Sequence, residues 1–229
     1  MPMICFVSAM EKEASYILEV CETINEEKAG FGRLLFCRYQ NESFYILICG
    51  IGKVLASSSL SAALSTHKEI DYVLNIGVAG GLKRGEINVF DVVIGQQFVQ
   101  HDLDTSPLGD PKGMVSGINL VYFDANEDLN EALTGICGDF GVEYHVRNVI
   151  SGDKFIVDPD VKYKLAEEFD AVCCDMESAA LATVCYVMNK GFSCLRVVSD
   201  SLGGSNEYFE NLEDSCILLS KLCLKLISE

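Results

Sequence analysis

Residues 171–200 read AVCCDMESAALATVCYVMNKGFSCLRVVSD, and this stretch decides the fold class. It opens with an apolar run, continues with a segment of small residues and closes with a second apolar run. Two buried strands joined by one helix form a parallel pair, with the helix packed on a face of the sheet. The stretch therefore predicts an α/β fold, with strands over Ala171–Cys174 and Phe192–Val198 and a helix over Glu177–Asn189.

Carboxylates directly follow both of these strands. Asp175 and Glu177 come after the first, and Ser199-Asp200 ends the second. In open α/β sheets, ligands bind at the carboxyl ends of the strands. For Asp175 and Glu177, a favourable interaction with a helix N-terminus is an equally good explanation. Asp200 follows an almost wholly apolar strand, so we expect burial to raise its pKa and keep it protonated, as suits a proton donor.

The rest of the chain continues the alternation of strands and helices. Further strands are predicted at Met3–Ala9, Arg33–Tyr39, Phe44–Cys49, Asp71–Ile76, Asp91–Gln100 and Tyr144–Ile150, and further helices at Lys12–Val20, Val54–Thr66, Asn126–Phe140, Asp160–Glu168 and Glu207–Ile227. The segment from Thr105 to Gly117 is rich in Gly, Pro, Ser and Asp and predicts a long loop, typical of a lid or an interface. We expect a single domain over residues 1–229, with a central twisted sheet that is mixed, mostly parallel and flanked by helices.

Two glycine clusters follow predicted strands and are interpreted as turns. They are Gly50-Ile51-Gly52-Lys53 and Gly77-Val78-Ala79-Gly80-Gly81. Glycine tolerates positive φ, so turn geometry alone could explain either cluster; close approach of the backbone to a ligand is the functional alternative. Neither cluster is a phosphate-binding Walker loop, and the second does not have the G-x-G-x-x-G spacing of a dinucleotide site.

Polar segments follow six of the predicted strands: Met10–Glu13, Gly50–Lys53, Gly77–Gly81, Ser151–Ile156, Asp175–Glu177 and Ser199–Asp200. If they converge on one edge of the sheet, they form a pocket lined by backbone amides and carboxylates. Glu13, Glu177 and Asp200 could then divide three tasks: protonating a leaving group, activating water and binding hydroxyls. This division suits cleavage of a glycosidic bond, so the residues alone indicate a small-molecule hydrolase acting on a sugar–base bond.

Composition excludes several other classes of function. The formal net charge of −17 argues against a nucleic acid or an anionic membrane as partner. The 11 cysteines are scattered, mostly in apolar runs and without a C-x-x-C pair, which is typical of a reducing cytoplasm. The 3 histidines lack metal-ligand spacing, so we expect neither metal nor cofactor. No secretory signal and no apolar stretch of bilayer length is recognisable.

Motifs along nearly the whole chain resemble those of one enzyme family. In order they are Ala9-Met10-Glu11-Lys12-Glu13, Gly50-Ile51-Gly52-Lys53, Asn75-Ile76-Gly77-Val78-Ala79-Gly80-Gly81, Ser151-Gly152-Asp153-Lys154-Phe155-Ile156, Asp175-Met176-Glu177 and Arg196-Val197-Val198-Ser199-Asp200. The ordered set resembles the nucleoside phosphorylase superfamily and, within it, the 5′-methylthioadenosine/S-adenosylhomocysteine nucleosidases. The resemblance implies hydrolysis of these nucleosides, and of 5′-deoxyadenosine, to adenine and a 5-thioribose derivative (5-deoxyribose from the last), in methionine salvage.

The resemblance also implies roles for single residues. Asp200 would protonate N7 of adenine, and Ser199 would orient the Asp200 carboxyl group. Glu13 would activate the attacking water, which Arg196 would help to place. Glu177 would bind the ribose hydroxyls.

The remaining substrate contacts implied by the resemblance are Met10, Ile51, Val78, Ala79, Gly80, Phe155, Ile156 and Met176. Among them, Phe155 would stack on adenine and Met176 would pack against the sugar. The family is homodimeric, and a segment of the neighbouring subunit near His101, Thr105 and Leu108 would close the 5′-thioalkyl pocket. Val78, Thr105 and Leu108 depart from the commonest family pattern, which bears on the preferred 5′ substituent.

Two alternatives remain open at this point. A phosphate-dependent purine nucleoside phosphorylase would need a cationic phosphate site, and no basic cluster stands near the glycine segments. A non-catalytic nucleoside-binding protein would be expected to lose at least one acid, yet Glu13, Glu177 and Asp200 are all present.

Overall fold

A computed structural model of the chain describes residues 2–83, 85–201 and 204–228. The strands in this part of the chain are β1 Met3–Ser8, β2 Glu22–Ala29, β3 Gly32–Tyr39, β4 Glu42–Ile48, β5 Ile70–Gly81, β6 Val92–Gln100, β7 Phe123–Asp124, β8 Tyr144–Ser151, β9 Ala171–Asp175 and β10 Gly191–Asp200. The α-helices are α1 Glu11–Val20, α2 Lys53–Thr66, α3 Glu127–Phe140, α4 Pro159–Phe169, α5 Ser178–Met188 and α6 Gly204–Ile227.

All ten strands belong to one sheet, which is closed at one end. The strand order is β10-β6-β8-β9-β5-β1-β4-β3-β2, with β7 attached to β6. Strand β10 also pairs with β5, so β5, β10, β6, β8 and β9 form a closed ring. Parallel pairing joins β1 to β4 and β5, β10 to β5, and β8 to β6 and β9. The remaining pairs are antiparallel, so the sheet is mixed.

The predicted parallel pair within residues 171–200 is wrong. Strand β9 is antiparallel to β5 and β10 is parallel to it, so β9 and β10 run in opposite directions and are separated by β5.

Helices cover both faces of the sheet, and the predicted α/β fold is confirmed. Helices α2 and α5 contribute Leu60 and Leu181 to a core cluster on one side. Helices α1, α3 and α6 contribute Ile17, Leu133 and Leu222 to a second cluster on the other side. Helix α4 packs in a smaller third cluster.

The glycine segment Gly77–Gly81 is strand, so its interpretation as a turn is wrong. It is the second half of β5 and pairs with β10 from Gly77 opposite Arg196 to Gly80 opposite Asp200, with a register shift between Val198 and Asp200. Gly80 and Gly81 also pair with β9. The glycines alone suggest that the strand ends at Ile76. Because β10 and β9 pair with the two edges of this segment, its small residues remain extended to Gly81. The other glycine cluster is a turn, in which Gly50 and Gly52 have φ of 86° and 91°.

Strand β2 was not predicted from the sequence. Its residues, ETINEEKA, are mostly exposed and pair with β3 alone at the end of the sheet. An edge strand with solvent on both faces shows no alternation of apolar and polar residues, so no periodic signal is available. The predicted long loop contains one short turn of 3₁₀ helix, Ser106–Leu108. Within the described ranges, no helix has both the length and the apolar character needed to cross a bilayer.

Candidate active site

A cavity of about 320 Å³ lies at the carboxyl ends of β1, β5, β9 and β10. Its lining residues are Ala9, Met10, Glu13, Ile51, Val78, Ala79, Gly80, Lys154, Phe155, Ile156, Cys174, Asp175, Met176, Glu177, Ser199, Asp200, Ser205, Tyr208 and Phe209. Both residues predicted to be catalytic are among them, as are all predicted substrate contacts except Arg196. The strand-end segments therefore meet at one site.

Glu13 is a buried carboxylate held by backbone donors. It lies in the first turn of α1 and is 2% exposed. Its Oε1 accepts the Val78 N–H at 3.0 Å, and its Oε2 accepts the Met10 N–H at 3.1 Å. The Ser8 hydroxyl lies 2.9 Å from Oε2. Burial raises the pKa of Glu13, while Arg196 and these donors oppose the rise, so the net shift is upward and suits a general base.

Glu177 follows β9 and has one oxygen fixed by a glycine turn. It is 5% exposed, and its Oε1 accepts the Gly52 N–H at 2.8 Å. Gly52 adopts φ 91°, a left-handed conformation that favours glycine. Oε2 lies 3.9 Å from Nη2 of Arg196. Burial, with a smaller contribution from Asp175, raises the pKa of Glu177 to about 7.

Arg196 is buried on β10 beneath the cavity and does not line it. Its Nη2 lies 2.7 Å from Oδ2 of Asp175 and 3.1 Å from the Ser178 hydroxyl. A Cβ at Gly77 would collide with Nη1 of Arg196 and with Oε1 of Glu13. The glycine thus leaves room for the guanidinium and the carboxylate to approach, which places a positive charge beside Glu13.

Asp175 anchors the strand-to-helix turn that carries Glu177. Its Oδ1 accepts the backbone N–H groups of Glu177 and Ser178, both at 3.1 Å, and the Ser151 hydroxyl at 2.5 Å. Together with the ion pair to Arg196, these contacts use both of its oxygens. The arrangement favours a positioning role for Asp175 over a role in proton transfer.

Asp200 lies at the end of β10, lines the cavity and is 1% exposed. The Ser199 hydroxyl donates to its Oδ1 at 3.2 Å. Nζ of Lys162 lies 3.0 Å from its Oδ2, and the same ammonium donates to the Ser201 carbonyl. Burial raises the pKa of Asp200, and Lys162 and Ser199 oppose the rise without cancelling it.

The sequence-based expectation for Asp200 considered burial alone and did not include the ion pair with Lys162, which opposes the effect of burial on its pKa. Lys162 is fully buried, 38 residues away in sequence. One signal could have revealed it: Lys162, Leu165, Ala166 and Phe169 follow the i, i+3, i+4, i+7 spacing of one helix face, and the other three are apolar. A lysine on such a face needs a buried partner.

Aromatic side chains form one rim of the cavity. The Phe155 ring lies 5.6 Å from that of Tyr208, which lies 5.2 Å from that of Phe209. Phe155 and Phe209 are 46% and 73% exposed. Sequence reasoning missed both α6 aromatics and Ser205, because a helix start far along the chain carries no mark of the site it reaches. It assigned no substrate contact to Ala9, Lys154 or Cys174, although each lies in or beside a predicted strand end.

The residues predicted for a neighbouring-subunit pocket do not line the cavity of their own chain. His101 is buried with its Nε2 unpartnered among the described residues, and a Cβ at Gly152 would collide with its ring. Thr105 is half-buried, and Leu108 is 84% exposed on the long loop. In the described part of the chain, no three His, Cys, Asp or Glu side chains cluster as a metal site would require.

Comparisons with known proteins agree over the whole chain. The Phosphorylase superfamily profile matches residues 3–229. The chain is 30% identical over 225 residues to the 5′-methylthioadenosine/S-adenosylhomocysteine nucleosidase of Bacillus subtilis, covering 96% of each protein. It is 29% identical over 233 residues to the aminodeoxyfutalosine nucleosidase of Campylobacter jejuni, covering 99% of this chain and 100% of that protein.

A solved structure shows the same fold. The 5′-methylthioadenosine/S-adenosylhomocysteine nucleosidase of Neisseria meningitidis, in complex with methylthio-immucillin-A, superposes with a TM-score of 0.92. The two sequences are 26% identical, and the superposition covers 99% of both chains.

Proposed function

The chain belongs to the phosphorylase superfamily, and we propose that it is a nucleosidase that hydrolyses the N-glycosidic bond of 5′-methylthioadenosine and S-adenosylhomocysteine. The products are adenine and a 5-thioribose derivative, and 5′-deoxyadenosine is a further candidate substrate. One observation carries the proposal: a single cavity holds three buried carboxyl groups, Glu13, Glu177 and Asp200, each with a raised pKa. Two of the similar proteins, those of Bacillus subtilis and Neisseria meningitidis, carry this activity in their names.

The proposed reaction divides the work between the two ends of the cavity. Asp200 donates its O–H proton to N7 of the base, and the electrons of the breaking glycosidic bond pass to the leaving adenine. A water molecule attacks the oxocarbenium-like sugar and gives its proton to Glu13. Arg196 stands beside Glu13 and stabilises its ionised form, while Ser199 orients Asp200. Oε2 of Glu177 accepts ribose hydroxyls while Oε1 is held by Gly52.

The other lining residues are proposed to bind the substrate. Phe155 stacks on adenine, the Ile156 backbone bonds the edge of the base, and Met176 packs against the sugar. Backbone and apolar contacts come from Met10, Ile51, Val78, Ala79 and Gly80. No cofactor enters this scheme.

Hydrolysis is favoured over phosphorolysis by the charge around the water site. A phosphate nucleophile needs cations, but the buried carboxylate Glu13 occupies this position. Arg196, which faces Glu13, is already paired with Asp175. A phosphate anion at this position would be repelled by the carboxylates of Glu13 and Asp175.

The test is adenine release from 5′-methylthioadenosine by purified protein, with and without inorganic phosphate. We expect the wild-type protein to release adenine at the same rate with and without phosphate. In Asp200→Asn, the rate of adenine release should fall by roughly 10²–10⁴-fold, the range typical of general acid catalysis. Asp139→Asn, an exposed change on α3, is the matched control. Strict phosphate dependence would establish a phosphorylase, and tight nucleoside binding without release of base would establish a binding protein.

We further propose a cytoplasmic homodimer that acts in methionine salvage, without nucleic-acid or membrane partners. All 11 cysteines are free, which suits a reducing compartment, and the net charge of −17 disfavours polyanionic partners. Phe31, Ile51 and Val54 are 62%, 51% and 75% exposed around the Gly50 turn and offer an apolar interface. The segment of the second copy near His101, Thr105 and Leu108 would then close the 5′ pocket; His101 itself is buried in its own chain. Sedimentation of the wild-type protein and of Val54→Asp tests the dimer. Adenine release by each protein tests whether the second copy closes the 5′ pocket.

A further inference from the structure

Lys162 is a buried cation at the active site for which the proposed reaction, so far, has no use. It lies in the first turns of α4, after the N-cap Asp158, and is 0% exposed. In the part of the chain that the structure describes, its ammonium contacts the end of β10 and the residue after it: Oδ2 of Asp200 at 3.0 Å and the Ser201 carbonyl. Moving an ammonium out of water is costly, so a lysine is retained at such a position only with strong compensation.

The position of Lys162 makes a purely structural role a poor explanation. Leu165, Ala166 and Phe169 share its helix face and are all buried apolar residues. An apolar side chain would pack there without a desolvation cost, and replacing buried ion pairs by apolar groups often leaves stability unchanged or improved. The ammonium instead meets the one carboxyl that the proposed reaction uses as its acid.

We propose that Lys162 is a positioning residue for the cleavage step, holding Asp200 by one oxygen and stabilising the carboxylate left behind when the proton moves to the purine. This inference rests on the proposed function. In the step, the O–H bond of Asp200 breaks, an N–H bond forms at N7, and the glycosidic electron pair goes to the departing base. Lys162 takes no part in the proton transfer, so no further proton or electron is needed.

Burial has the largest effect on the pKa of Asp200 and raises it, and among the surrounding groups Lys162 opposes this rise most strongly. The other titratable groups facing Asp200 are Cys174 from β9 and Glu207 and Tyr208 from α6. When ionised, each of these would be an anion and would oppose loss of the Asp200 proton. Of this set, only Lys162 favours the carboxylate, and the Ser199 hydroxyl assists it from the other oxygen.

The test is the pH profile of kcat/KM for adenine release in the wild-type protein, Lys162→Met and Lys162→Arg. The alkaline limb reports loss of the acid's proton, and an opposite charge at this distance lowers a carboxyl pKa by roughly 1–3 units. We therefore expect the limb in Lys162→Met to move to higher pH by that amount, with a lower kcat. Lys162→Arg, which keeps the charge, should keep the limb near its wild-type position. Lys164→Met, on the exposed side of the same helix, is the matched control.

A second substrate separates this role from general damage to the site. The 4-nitrophenyl glycoside of 5-methylthioribose releases 4-nitrophenolate, a leaving group that needs no protonation. Lys162→Met should therefore hydrolyse it almost as fast as the wild-type protein does. A limb that does not move, or equal losses on both substrates, would overturn the inference. Lys162→Gln provides the same neutral test if Lys162→Met does not fold, because its amide can still donate to the Ser201 carbonyl.

Asp200→Asn distinguishes failure of this inference from failure of the proposed function. If Asp200→Asn releases adenine normally, the acid is misassigned and the proposed reaction fails together with the role of Lys162. If Asp200→Asn is inactive while the limb of Lys162→Met stays in place, only the role of Lys162 is refuted.

Discussion

Replacing Glu13 by glutamine tests the proposed base with almost no change of shape. The carboxylate accepts the Val78 N–H at one oxygen and the Met10 N–H at the other. A glutamine amide has one oxygen, so it can satisfy only one of these backbone donors, and its NH₂ group faces the second. A buried donor without an acceptor costs about 1–3 kcal/mol, which is the expected loss in the free energy of unfolding.

The loss of activity in Glu13→Gln should be larger than the loss of stability. An amide cannot take a proton from water, and removal of a general base typically costs roughly 10²–10⁴-fold in rate. This corresponds to about 2.7–5.4 kcal/mol of activation free energy at 1.36 kcal/mol for each factor of ten. Binding of the nucleoside should change less, because the base end of the cavity is untouched.

Urea unfolding measures the first quantity, and single-turnover adenine release at saturating 5′-methylthioadenosine measures the second. Glu19→Gln, an exposed change on the same helix, is the control and should alter neither. A Glu13→Gln protein that releases adenine within tenfold of the wild-type rate would refute the assignment of Glu13 as the base. A loss of stability without a loss of rate would show that the carboxylate serves only the fold.

Three further outcomes are expected. Burial raises the pKa of Glu177 from 4.5 to about 7, so between these two pH values the folded protein binds more protons than the unfolded chain. The stabilising contribution of Glu177 to the unfolding free energy therefore falls as the pH rises through this range and is lost above about 7. Urea unfolding of Glu177→Gln should lack this dependence of the unfolding free energy on pH. Gly77→Ala should lower kcat by displacing Arg196 and Glu13, at a cost of about 1–3 kcal/mol in a thermal melt, whereas retained kcat would show that the site tolerates the shift. Phe155→Ala should raise KM more than it lowers kcat, since lost stacking costs about 0.5–1.5 kcal/mol, and an unchanged KM would remove Phe155 from base binding.

The sequence predicted the strand ends of the site well because apolar runs and the acids after them are local signals. The stretch from Ala171 to Asp200 contains two strands, the helix between them and two of the three proposed acids. Glu177 and Asp200 do lie together, but not through a parallel pair: β9 runs antiparallel to β5 and β10 runs parallel to it, and both end beside Gly80.

What the sequence did not predict depends on partners distant along the chain. The extension of β5 through Gly77–Gly81 requires β9 and β10 beside it, and its glycines alone indicate a turn. The Lys162–Asp200 pair requires α4 to pack over the end of β10. Tyr208 and Phe209 reach the cavity only because α6 begins near that strand end. None of these contacts leaves a local pattern in composition or periodicity.

Closure of the β5-β10-β6-β8-β9 ring divides the cavity into a fixed floor and an adjustable rim. Strand β10 pairs with β5 from Gly191 to Asp200 and with β6 from Leu195 to Val197, so the backbone of Arg196 is held on both edges and that of Asp200 on one. Natural variation in the accepted nucleoside should therefore concentrate in the aromatic helix start and the long loop, which no ladder restrains. An inhibitor selective for this protein should therefore keep an unmodified purine and vary the group at its 5′ end.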